Sequence, residues 1–204
     1  MGDALNVAAT NIEIIVRPRG GARILKSLGR EAELRDGAAR FRMPQVYSGL
    51  EKLALVEVRA PQGVVGAVED LIDVEVNYLP AGSSQTRSQQ VSVPIRYTDQ
   101  VEQVVAAARK DVAQNVVDNR VAEAKEAAIN YADAGDREEA ASRLRSVVGK
   151  ISADYGFLGD EVVAAPSASL EHEADEVQTK GLSNEKRKSF RADSYQSRNQ
   201  QSVQ

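Results

Sequence analysis

Alternating apolar and polar positions predict β-strands in the first part of the chain. Over residues 72–78 the even positions are aliphatic or aromatic and the odd ones acidic or amide, the period of a strand with one solvated face. A second alternating run covers 91–97. There Pro94 either places the strand at a sheet edge or faces away from its neighbour, because proline has no N–H to donate. An Asp36-Gly37 pair predicts a tight hairpin turn. About seven short strands therefore predict an antiparallel β-sandwich.

We place the β-sandwich at residues 10–98. After it, the spacing of apolar residues changes to that of a helix. Residues 99–155 predict a helical hairpin, with a tight glycine-containing link and Asp136 as the N-cap of its second helix. Residues 156–182 are expected to form a linker and a short helix. The basic, polar tail of 183–204 lacks enough apolar surface to fold alone, so we expect it to be disordered. The predicted fold class is mainly β with an α extension.

Composition and charge limit the kinds of function that the chain can have. Residues 1–100 hold 12 basic and 12 acidic residues and are neutral as a block. Residues 101–182 are acidic, with 9 basic and 16 acidic residues, and residues 183–204 are basic, with 5 and 2. Together they make the net charge of −4. The absence of cysteine and the single histidine remove thiolate chemistry and most histidine catalysis. No apolar run reaches the roughly 18 residues of a membrane span. The first residues lack the basic start and apolar core of a secretion signal, so we expect a cytoplasmic location.

Catalytic motifs are missing from the sequence, so we predict no enzyme, no cofactor and no metal site. Phosphate-binding glycine loops, the nucleophile elbow of hydrolases and the zinc motif of metalloproteases are all absent. His172, which lies between two glutamates, and the acidic group at 133–139 are expected to be solvated or capping residues. One enzymatic alternative stays open. Asp73, Glu75 and Glu57 could share a sheet face and act as the paired carboxylates of a hydrolase.

Basic residues near both ends are the candidates for binding a partner. The loop at 17–23 holds three arginines around two glycines and could contact phosphates. The tail could bind an acidic partner or nucleic acid, dock onto the acidic helices through Phe190 and Tyr195, or stay disordered. Its candidate partner-binding residues are Lys186, Arg187, Lys188, Phe190, Arg191 and Tyr195. Nucleic acid is the less favoured partner because the chain is acidic overall and only 4% aromatic.

Several short stretches carry a family resemblance through their order along the chain. They include Tyr-Ser-Gly-Leu-Glu-Lys at 47–52, Val-Pro-Ile-Arg-Tyr-Thr-Asp at 93–99 and Ser-Tyr-Gln-Ser-Arg-Asn at 194–199, with further matches at 5–14, 29–31 and 134–136. Together they resemble the region that follows the von Willebrand factor type A domain in bacterial proteins often labelled calcium-activated chloride-channel-like.

The resemblance implies a β-sandwich with a helical extension, accessory to an adhesion or scaffold module. The family's metal-ion-dependent adhesion site has the pattern Asp-x-Ser-x-Ser, which this sequence lacks, so no metal ligand is carried over. Residues 1–9 would be the remnant of the type A domain's last helix, and the chain either a truncated gene product or a deliberately shortened piece of a longer protein. The implied function is a non-catalytic protein–protein interaction or structural module. Its partner would be a type A domain or another subunit, and an uncovered apolar surface would favour self-association.

Overall fold

The chain folds as an antiparallel β-sandwich followed by helices, the fold class that the sequence predicts. A computed structural model describes residues 6–199 and 201–203. They divide into a β unit, made of residues 6–100 with 201–203, and a helical unit of residues 101–199.

The β unit is built from short strands that pair antiparallel throughout. They are β1 (Val7–Pro18), β2 (Arg23–Leu28), β3 (Glu33–Arg35), β4 (Ala38–Tyr47), β5 (Leu50–Lys52), β6 (Leu55–Arg59), β7 (Val68–Pro80), β8 (Arg87–Arg96) and β9 (Gln201–Val203). One sheet has five strands in the order β3-β4-β1-β7-β8, and the pairs β2-β6 and β5-β9 form two smaller sheets.

Apolar residues on the inner face of the large sheet form the core of the β unit. Val16 of β1 and Phe41 of β4 are buried there, and Ile24 of β2 and Val56 of β6 pack against them from the second layer. The β2-β6 layer is narrower than the sheet it covers. As a result, Val91 of the edge strand β8 is 58% exposed although it pairs with Val74 of β7.

Two local predictions in the β unit are confirmed. Asp36 and Gly37, which join β3 to β4, both have positive φ, at 52° and 77°, as a primed hairpin turn requires. Strand β8, which contains Pro94, lies at an edge of its sheet. The missing N–H of proline therefore costs no central ladder bond.

A short separate helix, followed by a helical hairpin, forms the first part of the helical unit. Its helices are α1 (Val101–Ala107), α2 (Lys110–Asp133), α3 (Arg137–Tyr155), α4 (Asp160–Lys180) and α5 (Asn184–Asn199), with a 3-10 turn at Gly156–Leu158. The link between α2 and α3 contains Gly135 at φ +87°. Asp136 caps α3 as predicted, because its Oδ1 accepts a hydrogen bond from the N–H of Glu139 at 2.9 Å.

Four helices share one apolar core in this unit. Helix α2 packs against α3 and α5, and α3 packs against α4. The fully buried side chains include Val117 of α2, Leu144 of α3, Leu170 of α4 and Phe190 of α5.

The structure differs from the sequence-based expectation in three segments. Residues 1–5 of the expected remnant helix lie outside the described residues, and Val7 already belongs to β1. The segment predicted as a linker and short helix holds the 21-residue helix α4, because Val162 and Val177 are buried in the shared core and hold it despite Pro166. The tail expected to be disordered forms α5, because that helix packs against α2.

Candidate functional site

Helix α5 carries all six tail residues that the sequence marks as candidates. The N–H of Lys186 donates to Oγ of Ser183 at 3.1 Å, a local N-cap that a polar segment can supply by itself. The helical spacing then puts Phe190 and Ser194 on one face. Phe190 is fully buried, and Oγ of Ser194 donates to the carbonyl of Ala122 on α2 at 3.1 Å. Of the alternatives that the sequence leaves open, the structure shows the tail docked.

Lys125 of α2 is the charged centre of this docking contact. Lys125 is only 6% exposed, and its Nζ lies 2.7 Å from Oδ2 of Asp193 and 3.2 Å from Oε1 of Glu173. The same Nζ lies 5.1 Å from the ring centroid of Phe190. A buried ammonium group needs such compensation because its desolvation costs several kcal/mol. Three helices, α2, α4 and α5, therefore meet at one lysine.

Two basic residues in the first turn of α5 extend the contact. Nζ of Lys186 lies 3.1 Å from Oε2 of Glu176 on α4, and Arg187 forms an ion pair with Asp133 of α2. The hydrogen bond from Lys186 holds the pKa of Glu176 below its ordinary value. Both basic residues therefore contact their own chain, and a role for them in binding another molecule stays a prediction.

The other candidates lie on the outer face of α5. Lys188 and Arg191 are exposed, and Tyr195 is 72% exposed. The expectation that Tyr195 anchors the docked tail together with Phe190 is therefore wrong, since five residues of helix turn it away from the buried face. Lys188, Arg191 and Tyr195 follow one another at helical spacing, so they form a basic-aromatic stripe on the surface.

The carboxylates of β7 already have partners on the outer face of the large sheet. Asp73 accepts a hydrogen bond from Oγ of Ser92 at 2.7 Å and another from Nε of Arg19 at 2.5 Å. Nη1 of Arg17 lies 2.7 Å from Oε2 of Glu75. The hydroxyl of Ser92, followed by the guanidinium of Arg19, holds the pKa of Asp73 below its usual range. Two arginines of the basic loop are thus paired within the sheet.

The hydrolase alternative does not match this geometry. The amide of Asn77 and then the guanidinium of Arg17 lower the pKa of Glu75, so neither β7 carboxylate has the raised pKa that suits a general acid near neutral pH. Glu57 lies on β6 in the other sheet, and its nearest cation is Lys26 at 3.9 Å. The three carboxylates do not share a face.

The outer face of the large sheet also holds a cavity of about 520 Å³. Its charged lining residues are Arg17, Arg35, Arg40, Arg42, Glu33 and Asp36. Nη1 of Arg40 lies 3.4 Å from Oε1 of Glu13, and Nη2 of Arg42 lies 3.4 Å from Oε2 of Glu33. Opposite charges therefore alternate across neighbouring strands. The sequence does not reveal this arrangement, because alternation indicates an outer face but not which strands are neighbours.

The remaining sequence candidates have local roles. His172 is exposed, and its Nδ1 lies 3.8 Å from Oε2 of Glu176 one helical turn away. In the acidic group at 133–139, one carboxylate pairs with Arg187 and another caps α3. Within the described part of the chain, no three His, Asp or Glu side chains lie close enough together to hold a metal ion. Over the same residues, no helix is both long and apolar enough to cross a membrane.

Comparison with known proteins finds solved structures whose fold resembles that of this chain. No family model and no curated protein matches the chain. A solved structure described as von Willebrand factor type A from Catenulispora acidiphila is 12% identical, with a TM-score of 0.52 over 86% of this chain and 46% of that one. The crystal structure of the ArnB paralog VWA2 from Sulfolobus acidocaldarius is 17% identical, with a TM-score of 0.41 over 86% and 43%. The chain thus spans less than half the length of either protein.

Proposed function

We propose that the chain is a non-catalytic protein-interaction or structural module that works beside a von Willebrand factor type A domain. The fold likeness supports this proposal, since the chain matches 46% of a protein described by that domain's name and leaves the rest of that protein unmatched. The order of the short stretches in the sequence supports placing the module after the type A domain.

The observation that carries the proposal is the incomplete second layer of the sandwich. Val91 and Val93 lie on the inner face of β8, where no strand of the β2-β6 layer covers them, and they are 58% and 39% exposed. Apolar side chains on the inner face of a sheet ordinarily form its core. We therefore assign this surface to contact with the partner.

A binding experiment tests the assignment. The genomic reading frame around this chain is determined, the type A domain found there is expressed, and its affinity for the chain is measured by calorimetry. We expect Val91→Lys to abolish binding, because the ammonium group would be buried in an apolar contact. The matched control is Gln90→Lys, which adds the same charge on the opposite face of the same strand and should leave the affinity unchanged.

Three outcomes would contradict the proposal. They are a reading frame without a type A domain, a type A domain that does not bind, and a Val91→Lys variant that binds like the unaltered chain. Turnover on a panel of hydrolase substrates, abolished by one point substitution, would contradict the non-catalytic part alone.

A cytoplasmic location is part of the same proposal. Fractionation of cells that express the tagged gene product would check it, and recovery of the product outside the cytoplasm would contradict it.

A further inference from the structure

The connection between β6 and β7 carries a group of exposed valines, which we call the apolar tip. We define it by Val64, Val65 and Val68, which are 77%, 61% and 54% exposed. Val64 and Val65 belong to the connection itself, and Val68 begins β7, so the tip lies where the strands end. Neighbouring apolar side chains that stay exposed together mark a surface for contact with another molecule.

Contacts with Tyr97 hold this connection in place. The hydroxyl of Tyr97 donates to the carbonyl of Pro61 at 3.1 Å, and the N–H of Gly66 donates to the carbonyl of Tyr97 at 2.8 Å. Gly63 lies so close to the ring of Tyr97 that there is no room for a Cβ. The valines are therefore exposed although the chain that carries them is fixed by its own contacts.

Three exposed arginines flank the apolar tip. Arg23 and Arg59 are directly opposite each other on β2 and β6. Arg96 of β8 is opposite Val68 itself. Within the part of the chain that the structure describes, none of the three forms an ion pair with a carboxylate. Because like charges directly opposite each other destabilise a sheet, this arrangement favours an anion supplied from outside the chain.

Two carboxylates lie at the same end of the β unit. Glu69 and Asp70 follow the tip on β7, and Oε2 of Glu69 lies 3.9 Å from the Cβ position of Gly20. Glu69 is therefore placed beside the loop at 17–23, which has arginines of its own. The three flanking arginines outnumber the two carboxylates, so the surroundings of the tip are positively charged.

We propose that the apolar tip docks on the cytoplasmic face of a membrane that contains anionic phospholipids. The valines enter the headgroup region of the bilayer, and the flanking arginines bind lipid phosphates. A bilayer fits this surface because it accepts an apolar end with a basic border and needs no groove of matching shape. The docking is peripheral, and it depends neither on a type A domain nor on the exposed valines of β8.

Cosedimentation with lipid vesicles tests the proposal. The full chain is mixed with vesicles of phosphatidylcholine, either alone or with phosphatidylglycerol added. We expect binding to the anionic vesicles, little binding to the neutral ones, and a loss of binding as salt rises, because salt screens the attraction between arginine and phosphate. The double variant Val64→Ser with Val65→Ser should lose the binding. The matched control is Val101→Ser, which removes a valine that is 67% exposed in the helical unit and should bind like the original chain.

Two arginines of one strand measure the contribution of charge. Arg96→Gln should lower the partition coefficient for anionic vesicles about fivefold. Arg87→Gln, at the opposite end of β8, should leave it unchanged.

A fluorescent label reports which part of the chain meets the lipid. Because the chain has no cysteine, Gln62→Cys beside the tip and Ser84→Cys between β7 and β8 can each carry an environment-sensitive dye. We expect a blue shift on anionic vesicles for the dye at position 62 and none for the dye at position 84.

Several results would overturn the proposal. If the original chain does not sediment with anionic vesicles, the tip contacts a protein instead. Binding that survives the double valine variant, equal effects of the two arginine substitutions, or a blue shift at position 84 alone would place the lipid contact elsewhere. Circular dichroism confirms that each variant is folded, so that a loss of binding is assigned to the tip.

Discussion

At Lys125, a single ammonium group compensates carboxylates from two other helices while the residue is almost withdrawn from solvent. Such a group is compatible with the fold only while its partners remain in place, because removing one partner leaves an uncompensated charge in a poorly solvated site. Glu173 illustrates the cost, since its Oε2 is buried without a hydrogen-bond partner among the described residues. Substitution at this position should therefore affect stability far more than substitution of an exposed lysine.

We expect Lys125→Met to lower the free energy of unfolding by about 3 kcal/mol, because Glu173 loses its closest cation while it stays buried. Urea denaturation followed by circular dichroism measures the change. Lys188→Met, on the exposed face of α5, should stay within about 0.5 kcal/mol of the original protein. Equal effects of the two substitutions would contradict the role assigned to Lys125.

Asp73 should contribute a pH-dependent part of the stability. Its pKa is lowered in the folded protein, by Ser92 first and Arg19 next. Its contribution is therefore complete above the unfolded pKa of about 3.9 and is lost as the pH falls through the lowered folded value. We expect Asp73→Asn to be less stable than the original protein at neutral pH and to approach it at low pH.

Urea denaturation over a series of pH values measures this convergence. Asp36→Asn is the matched control, since the Asp36 side chain is 91% exposed in the β3–β4 turn. A gap between the original protein and Asp73→Asn that stays constant with pH would contradict the assignment.

Gly63 should not tolerate a methyl group. A Cβ built at this position would overlap the ring of Tyr97, whose hydroxyl donates to the carbonyl of Pro61 at 3.1 Å. We expect Gly63→Ala to destabilise the β unit by about 1–3 kcal/mol through overpacking. In contrast, Gly149 in α3 has open space around its Cβ position, so Gly149→Ala should stabilise by about 0.5–1 kcal/mol through helix propensity. Thermal melts of both variants measure the difference, and a neutral Gly63→Ala would refute the predicted overlap.

At the scale of the elements, periodicity predicts those whose apolar residues repeat regularly. Strand β7 alternates clearly, and the α2–α3 hairpin has both an apolar stripe and a capping aspartate, so these elements are recognisable in the sequence. Helix α4 is harder to recognise because Pro166 and small residues lower its local helix propensity, and only packing of residues such as Val162 and Leu170 compensates for this. Propensity alone cannot show a helix that depends on its neighbours.

The candidate site was predictable in its residue types but not in its arrangement. The sequence marks Lys186, Arg187 and Phe190 as functional because they are basic or aromatic in a polar segment. It cannot show that these three side chains face inward, since their partners include Lys125, which is distant in sequence and lies in an alanine- and valine-rich helix. Mean hydropathy does not register a helix face held by ion pairs.

Helix α5 should depend on one aromatic side chain. Phe190 is fully buried, whereas Tyr195 is 72% exposed. We expect Phe190→Ala to lower the free energy of unfolding by about 3–5 kcal/mol or to detach α5 with a loss of helical signal. Tyr195→Ala should change it by no more than about 0.5 kcal/mol. Circular dichroism combined with urea denaturation checks both variants, and similar effects would contradict the predicted orientation of α5.

At the scale of the whole molecule, the chain divides into two units with separate apolar cores. The core of the β unit lies between the large sheet and the β2-β6 layer, and the core of the helical unit lies among α2, α3, α4 and α5. A core of its own is what allows a unit to unfold cooperatively by itself.

Calorimetry should therefore resolve two thermal transitions. We expect Gly63→Ala to lower the midpoint of only one transition and Phe190→Ala to lower only the other, because each substitution lies within one unit. A single transition that moves with both substitutions would contradict independent unfolding of the units.

The position of Pro94 in β8 has a consequence for how the protein behaves in a crowded solution. An edge strand of ten residues with valines on one face is a template onto which other chains can add as fibrils. Proline interrupts that template because it offers no amide hydrogen to an incoming strand, and Arg87 and Arg96 place positive charge at both ends of the strand. We therefore expect Pro94, which marks β8 as an edge strand in the sequence, to disfavour amyloid-like assembly as well.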